Sequence, residues 1–322
     1  MRIGIDLGGT NIAAGLVNND GALIYKDSIK TNLECNGKFI IDDMAKLIES
    51  ILRENDLKIN DINSIGIGVP GTVRYEDGVV VECVNLHWKE VSLAKDINAK
   101  LKESFNTEND IKVFIENDAN AAALGEYLAG SMKNCNSAIL ITLGTGVGGG
   151  MVLNGKVHRG KDGAALEIGH MIVGENFYNC SCGNNGCLET FASATAIIKY
   201  AQELIKNGEK SIITDKVQGD LSKIDAKVVF DSAREGDKVG NLTLDRFIKY
   251  LGTGINNIIN ILDLDVISIG GGVVAGSDLF MDRLINYISE HKLFKGLKLC
   301  KIEKAELGND AGIIGAALLD RM

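Results

Sequence analysis

Two stretches of the chain repeat one pattern. "RIGIDLGGTNIAAGLVNNDGALIY", Arg2 to Tyr25, reads as strand, glycine turn, strand, polar turn, strand. Ile3, Ile5 and Leu7 alternate, and Asn18, Asn19, Asp20 and Gly21 separate two β-rich runs, a hairpin signal. "NSAILITLGTGVGGGMVLNGKVHRG", Asn136 to Gly160, has the same layout, with an Asn-Gly turn in place of the polar one. Helical periodicity follows each copy. After the first come "KFIIDDMAKLIESILREN", "LAKDINAKLKESF" and "ANAAALGEYLAG", interleaved with the apolar strands "INSIGIGVPG" and "IKVFIEND". After the second come "LTLDRFIKYLGTGINNIINIL", the strand "VISIGGG", and the helices "FMDRLINYISEH" and "AGIIGAALLDR". A duplicated meander with helices behind each copy predicts two α/β halves. No low-complexity linker separates them, so they are expected to pack across a cleft.

Composition narrows the function. The chain has 322 residues, 45% of them hydrophobic, enough for two ordinary domains. Its net charge is −9 and its pI about 5.1, with no basic run, which disfavours nucleic acid and anionic membrane as partners. Met1 and Arg2 lead straight into an apolar strand, so no signal peptide is expected, and no segment approaches the roughly 20 apolar residues of a membrane span. The expected compartment is the cytoplasm, where 7 cysteines are not a disulfide framework.

Three glycine motifs mislead. Gly66, Gly68 and Gly71 satisfy G-x-G-x-x-G, as do Gly144, Gly146 and Gly149. Dinucleotide binding needs such glycines to open a helix, and the segments that follow, "TVRYEDG" and "MVLNGKV", are not helical. "GMVLNGKV" misses a P-loop because Val157 stands where Ser or Thr is required. What remains is one glycine hairpin turn per half, "DLGGTN" and "LGTGVGGG", with a third turn, "IGGG", at Gly270 to Gly272. Turns without Cβ atoms expose successive N–H groups that can hold phosphate oxygens. Thr10 and Thr145 add hydroxyls, and Asp6 could hold Mg²⁺ through water. Singly, each is an ordinary tight hairpin; together they favour a nucleotide.

"END" sets Asn117 and Asp118 between a buried strand and a helix, at the mouth of a sheet where α/β ligands bind. The plainer role of Asp there is a helix N-cap. Glu167 in "EIGH" and Glu189 in "CLE" would, taken alone, be solvated surface charges.

His170, Cys180, Cys182 and Cys187 form H-x9-C-x-C-x4-C. Four nitrogen and sulfur ligands suit tetrahedral Zn²⁺ with no open position, hence a structural site. Gly183 and Gly186 provide the turn between Cys182 and Cys187. A redox pair would be C-x-x-C opening a helix, which C-x-C fits poorly, and a cluster of core thiols would not be spaced by "NCSCGNNGC", which is polar. Cys35, Cys83, Cys135 and Cys300 stand isolated and are expected to be inert.

"IGIDLGGTN", "VPG", "ENDANAAALGE", "LGTGVGGG", "EIGH", "CSCGNNGCLE" and "ISIGGG", in this order along essentially the whole chain, resemble the ROK family of bacterial sugar kinases and repressors, and within it the glucokinases. The resemblance implies an actin-like, ribonuclease-H-like α/β fold with duplicated domains, sugar and ATP lying in the interdomain cleft. Residues 1–117 with about 306–322 would form the smaller domain, and 118–305 the larger one with the zinc loop. It further implies Asp118 as catalytic base and Asn117, Glu167, His170 and Glu189 as ligands of sugar hydroxyls, joined by Gly71 and Asn85. Gly8, Gly9, Thr10, Asn11, Thr145 and Gly146 would cradle phosphates, and Gly271 and Gly272 would form the nucleotide-side turn. Asp6 with Mg²⁺ completes the ATP side.

The expected activity is phosphorylation of glucose at its 6-hydroxyl by ATP in a homo-oligomer, dimer or tetramer. N-acetylmannosamine, fructose and allose kinases are the alternatives within the family. A sugar-responsive repressor is the alternative of another class, disfavoured because the first phosphate turn begins at Asp6 and leaves no room upstream for a helix-turn-helix.

Overall fold

The computed structural model describes residues 1–34 and 38–322; Cys35 lies outside the described residues. The chain divides into two compact units, one of Met1–Leu140, Gly150–Leu166 and Ala305–Met322, the other of Ile141–Gly149 and Glu167–Lys304.

The first unit opens with β1 (Arg2–Leu7), β2 (Asn11–Val17) and β3 (Leu23–Lys30), then α1 (Lys38–Glu54) and β4 (Ser64–Val69). A small antiparallel sheet of β5 (Thr72–Arg74), β6 (Val79–Cys83) and β7 (Trp88–Val91) follows, then α2 (Leu93–Phe105), β8 (Val113–Asn117) and α3 (Asp118–Ala129). The main sheet runs β3-β2-β1-β4-β8, antiparallel from β3 to β1 and parallel from β1 to β8. Sequence pattern follows position. Every residue of β4, a central parallel strand, is buried, while β3 at the edge alternates between partly covered and exposed residues. Ile40, Met44, Ile48 and Ile51 form the buried stripe of α1 and join Ile3, Ile5, Ile65 and Ile67 in the unit's core.

A second five-stranded sheet is built from β9 (Ser137–Leu143), β10 (Val147–Leu153), β11 (Lys156–Val157), β12 (Val266–Gly270) and β13 (Lys301–Lys304). Its order is β11-β10-β9-β12-β13. Numbered within each sheet, the two orders are the same: third, second, first, fourth, fifth. The duplicated pattern of the sequence is thus a duplicated topology, and the fold is α/β of the actin-like kind. Between β11 and β12 lie α4 (Glu189–Ala192), α5 (Ala194–Lys206), α6 (Ile212–Lys216), α7 (Ala226–Arg234) and the long α8 (Lys238–Leu262); α9 (Ser277–His291) follows β12. The last helix, α10 (Ala311–Ala317), packs in the first unit on β1, β4 and α3. Among the described residues no helix is long and apolar enough to cross a membrane.

Two readings of the sequence need correction. The strands β5 to β7 went unread because they are short and lie among turn residues, with Trp88 and Val80 buried but no sustained alternation. The N-cap of α3 is Asn117, not Asp118: its side-chain oxygen accepts from the N–H groups of Ala119 (2.9 Å) and Asn120 (3.1 Å). Asp118 is the first residue of the helix proper.

Candidate active site and metal centre

In the first unit, the parallel register aligns Asp6 with Gly68, Gly68 with Glu116, and Val69 with Asn117. Asp6, Asn117 and Asp118 therefore share the carboxyl edge of β1, β4 and β8, where open α/β sheets bind ligands. Both aspartates are half-buried. Burial raises the Asp118 carboxyl above the usual carboxylate range. Burial first, and then the Asp118 charge, push Asp6 up to about 6. Two acids whose charged forms are disfavoured are suited to proton transfer or to a cation. Asn117 donates its amide N–H to the Gly71 carbonyl (3.1 Å) while its oxygen caps α3. The turn between β1 and β2 is closed by Gly8 N–H to the Asn11 carbonyl (2.9 Å) and braced by Thr31, which donates to the carbonyls of Thr10 (2.9 Å) and Gly8 (2.7 Å). A Cβ placed at Gly9 would meet only Asn85 Cβ, at 3.8 Å.

In the second unit, the turn between β9 and β10 is Gly144, Thr145 and Gly146. The Glu189 carboxylate accepts from Val147 N–H (3.0 Å), and a Cβ at Gly146 would overlap that carboxylate. Glu189 is thus tied to the turn and is not a free surface charge. Thr195 donates its hydroxyl to the Thr145 carbonyl (2.8 Å), and Ala194 N–H bonds the Gly144 carbonyl (2.8 Å). Gly271, with φ +87°, lies so close to Leu143 that a Cβ would overlap the latter's backbone, so the two glycine turns are neighbours. Gly144 and Gly272 have nothing within 4 Å of a would-be Cβ and no positive φ. Neither packing nor backbone conformation demands glycine there. The space is open to a group from outside, as a phosphate cradle requires. Glu167 precedes the short turn Ile168–His170, and its side chain is exposed.

The ligand atoms of His170, Cys180, Cys182 and Cys187 all lie within 4.8 Å of one another. His170 Nδ1 is 3.6 Å from Cys180 Sγ, and Cys182 Sγ is 3.6 Å from Cys187 Sγ. A tetrahedron with the usual zinc bond lengths has edges of about 3.8 Å between sulfurs and about 3.5 Å between nitrogen and sulfur, so the donor set fits Zn²⁺ in type and spacing. The three thiols are free, not disulfide-bonded. The backbone explains the convergence. Ile172 bridges Cys187 and Asn179 bridges Asn185, folding the loop into a narrow hairpin. Gly186, with φ +91°, sits where a Cβ would overlap the Gly174 carbonyl.

The structure brings the sequence candidates Asp6, Asn117, Asp118 and Gly71 to one sheet edge, and the four candidate metal donors to one loop. Sequence reasoning missed the scaffold behind them. Arg246 of α8 has its guanidinium 4.5 to 5.1 Å from the ring centres of Phe191, Tyr200 and Tyr250 and donates to Asn176 Oδ1 (2.7 Å). Asn176 and Tyr178 in turn both donate to the Thr190 carbonyl (2.8 and 2.9 Å), joining the cysteine loop to α4 and hence to Glu189. The buried Glu116 and its partner Arg159 were missed as well. An acid inside an apolar strand signals a cation partner, but spacing does not say which one.

The family model "ROK family" matches residues 2–322. A glucokinase of Thermotoga maritima is 35% identical over 316 residues, 98% of this chain and 95% of that protein. A xylose repressor of Caldicellulosiruptor bescii is 31% identical over 315 residues, 97% of this chain and 76% of that protein. Among solved structures, a ROK family glucokinase from Streptomyces griseus in complex with glucose and AMPPNP superposes with a TM-score of 0.81 at 30% identity, covering 99% of this chain and 98% of that one. The chain is a member of the ROK family.

Proposed function

We propose that the protein transfers the γ-phosphoryl group of ATP to the 6-hydroxyl of a hexose, and that the hexose is glucose. The observation that carries this reading is Asp118, a half-buried carboxylate at the carboxyl end of a parallel strand with Asp6 beside it, in a member of a family that includes glucokinases. Burial destabilises its charged form and so strengthens it as a base. Asp118 takes the proton of the primary hydroxyl as that oxygen attacks phosphorus. Asn117, Glu167, His170 and Glu189, with Gly71 and Asn85, bind the ring hydroxyls and hold the sugar in line. Gly8, Gly9, Thr10, Asn11, Thr145 and Gly146 present N–H and hydroxyl donors to the phosphates, and Gly271 and Gly272 border the nucleotide. Phosphoryl transfer depends on such positioning and charge neutralisation more than on covalent help. Mg²⁺ supplies neutralisation of the phosphoryl oxygens, and Asp6 would hold it through water. His170, Cys180, Cys182 and Cys187 would hold Zn²⁺ with four ligands, and the ion would keep the loop from His170 to Glu189 in shape.

The test is a coupled ADP assay over a hexose panel. Glucose should give the highest kcat/KM, with mannose and N-acetylglucosamine lower by about tenfold or more, the scale of one lost hydrogen bond. Better turnover of N-acetylmannosamine, fructose or allose would overturn the glucose assignment and keep the kinase. No ADP with any sugar, together with specific binding of double-stranded DNA, would replace it by the repressor reading, which the Caldicellulosiruptor relative favours.

A further inference from the structure

Glu116 occupies the last buried position of β8, immediately before Asn117 and Asp118, and its side chain is only 2% exposed. Its carboxylate holds the start of α3 from behind. One oxygen accepts from the Asn117 backbone N–H (3.0 Å) and from the Asn120 side-chain amide (3.1 Å), on either side of Asp118. The other takes Arg159 Nε at 2.6 Å. Arg159 itself is fixed, its guanidinium lying 3.8 Å over the centre of the Tyr75 ring. A carboxylate this deep keeps its charge, and so its acceptor strength, only with a cation against it.

We propose that Arg159 is a positioning residue for Asp118, acting through Glu116. The inference rests on the reading of Asp118 as the base. Asn117 and Asn120 are the cap and the third residue of the helix that begins with Asp118. Two bonds from one carboxylate to these neighbours set the direction in which the Asp118 side chain leaves the strand. Without the Arg159 cation, Glu116 takes up a proton or turns toward water. In either case the acceptor that ties Asn117 N–H to Asn120 weakens, and Asp118 loses its fixed aim. Arg159 reaches the reaction only through this relay. Its guanidinium is turned to Glu116, which its Nε meets at 2.6 Å.

The test is a kinetic cycle on the full chain: wild type, Arg159→Ala, Asp118→Asn and the double variant, with ATP and the best sugar of the panel. The expected result is a fall in kcat of about tenfold for Arg159→Ala with the KM for ATP within about twofold. In the Asp118→Asn background the same substitution should change the residual rate by less than about twofold, because no base remains to be aimed. A kcat within about twofold of wild type would overturn the proposal. So would an equal loss in both backgrounds, which is what a general weakening of the fold would give. Arg159→Lys covers the case in which the alanine variant does not fold. It keeps a cation but gives up the fixed guanidinium geometry, so a kcat loss of about threefold or more is expected, again vanishing without Asp118. Normal kcat for Asp118→Asn alone would refute the base assignment and leave the relay without a target, a separate failure from a silent Arg159→Ala.

Discussion

The glycines of two regions look alike in the sequence and differ in the structure. Along the face of α10 in the first unit, a Cβ at Gly4 would overlap the Ile313 carbonyl, one at Gly66 the Ala316 carbonyl, and one at Gly315 the Ala121 carbonyl. In the turns of the second unit, Gly144 and Gly272 would meet nothing within 4 Å. The first set lets α10 lie directly on the backbones of β1, β4 and α3, so its glycines are packing residues. The second set fills no contact and has no left-handed backbone to accommodate. Its glycines keep a space clear. One residue type thus packs the fold in one region and borders open space in the other, and the atoms beside a would-be Cβ tell them apart.

The largest effect should follow from breaking the packed set. Gly66→Ala or Gly315→Ala sets a methyl against backbone that cannot move aside, a loss of about 4 kcal/mol or more, and thermal unfolding should show a much lowered Tm or no folded protein. A Tm near wild type would mean that α10 does not rest on β4 and α3 as described. The metal loop comes next. Metal analysis should find about one zinc per chain, and Cys182→Ala should lose the metal, raise the sugar KM by about tenfold and lower Tm together, because the same loop leads to Glu189. Metal-free protein with an unchanged KM would contradict this. The open set should respond in the opposite way to the packed one. Gly144→Ala is expected to leave Tm within about 2 °C and to raise the KM for ATP by about tenfold, since the methyl enters only the open space proposed for phosphate. A folding defect with normal ATP binding would erase the distinction between the two regions.

The smallest effect is a pH dependence. Asp6 is pushed up to about 6 by burial and by Asp118, so the folded state holds its proton more tightly than the unfolded chain does. Its protonation therefore stabilises the protein fully below the ordinary carboxylate range, and this contribution is lost as pH rises through about 6. Asp6→Asn should flatten that decline between about pH 4 and about 6, as read by Tm against pH. An unchanged slope would place the titration elsewhere.

What was legible in the sequence was what repeats or what is local. The duplicated meander gave two sheets of one order, and "LAKDINAKLKESF" coincides with α2 residue for residue. The candidate metal donors were readable because three of them fall within eight residues and His170 precedes them by ten, a Cys3His set of the kind that suits a closed zinc site. The end of β8 was readable as a candidate site, but the plainer role weighed for Asp118, the helix cap, falls to Asn117, since Asn and Asp suit that role on equal chemical terms. Long-range pairing was not readable. Glu116 and Arg159 are 43 positions apart, and Arg246 reaches Asn176 across 70, so only the folded chain shows that each supports a loop carrying candidate site residues. The glycine count said nothing about which glycines pack and which leave room.

The central claim is that Asp118 is the base of an ATP-dependent sugar kinase. Asp118→Asn keeps the side chain's shape and removes its ability to take a proton, so one variant tests the claim most directly, with kcat from ADP release and glucose affinity from equilibrium titration. The expected result is a loss of at least about a hundredfold in kcat with the glucose Kd within about threefold of wild type. A folded Asp118→Asn protein that turns over glucose at a near-normal rate would contradict the account.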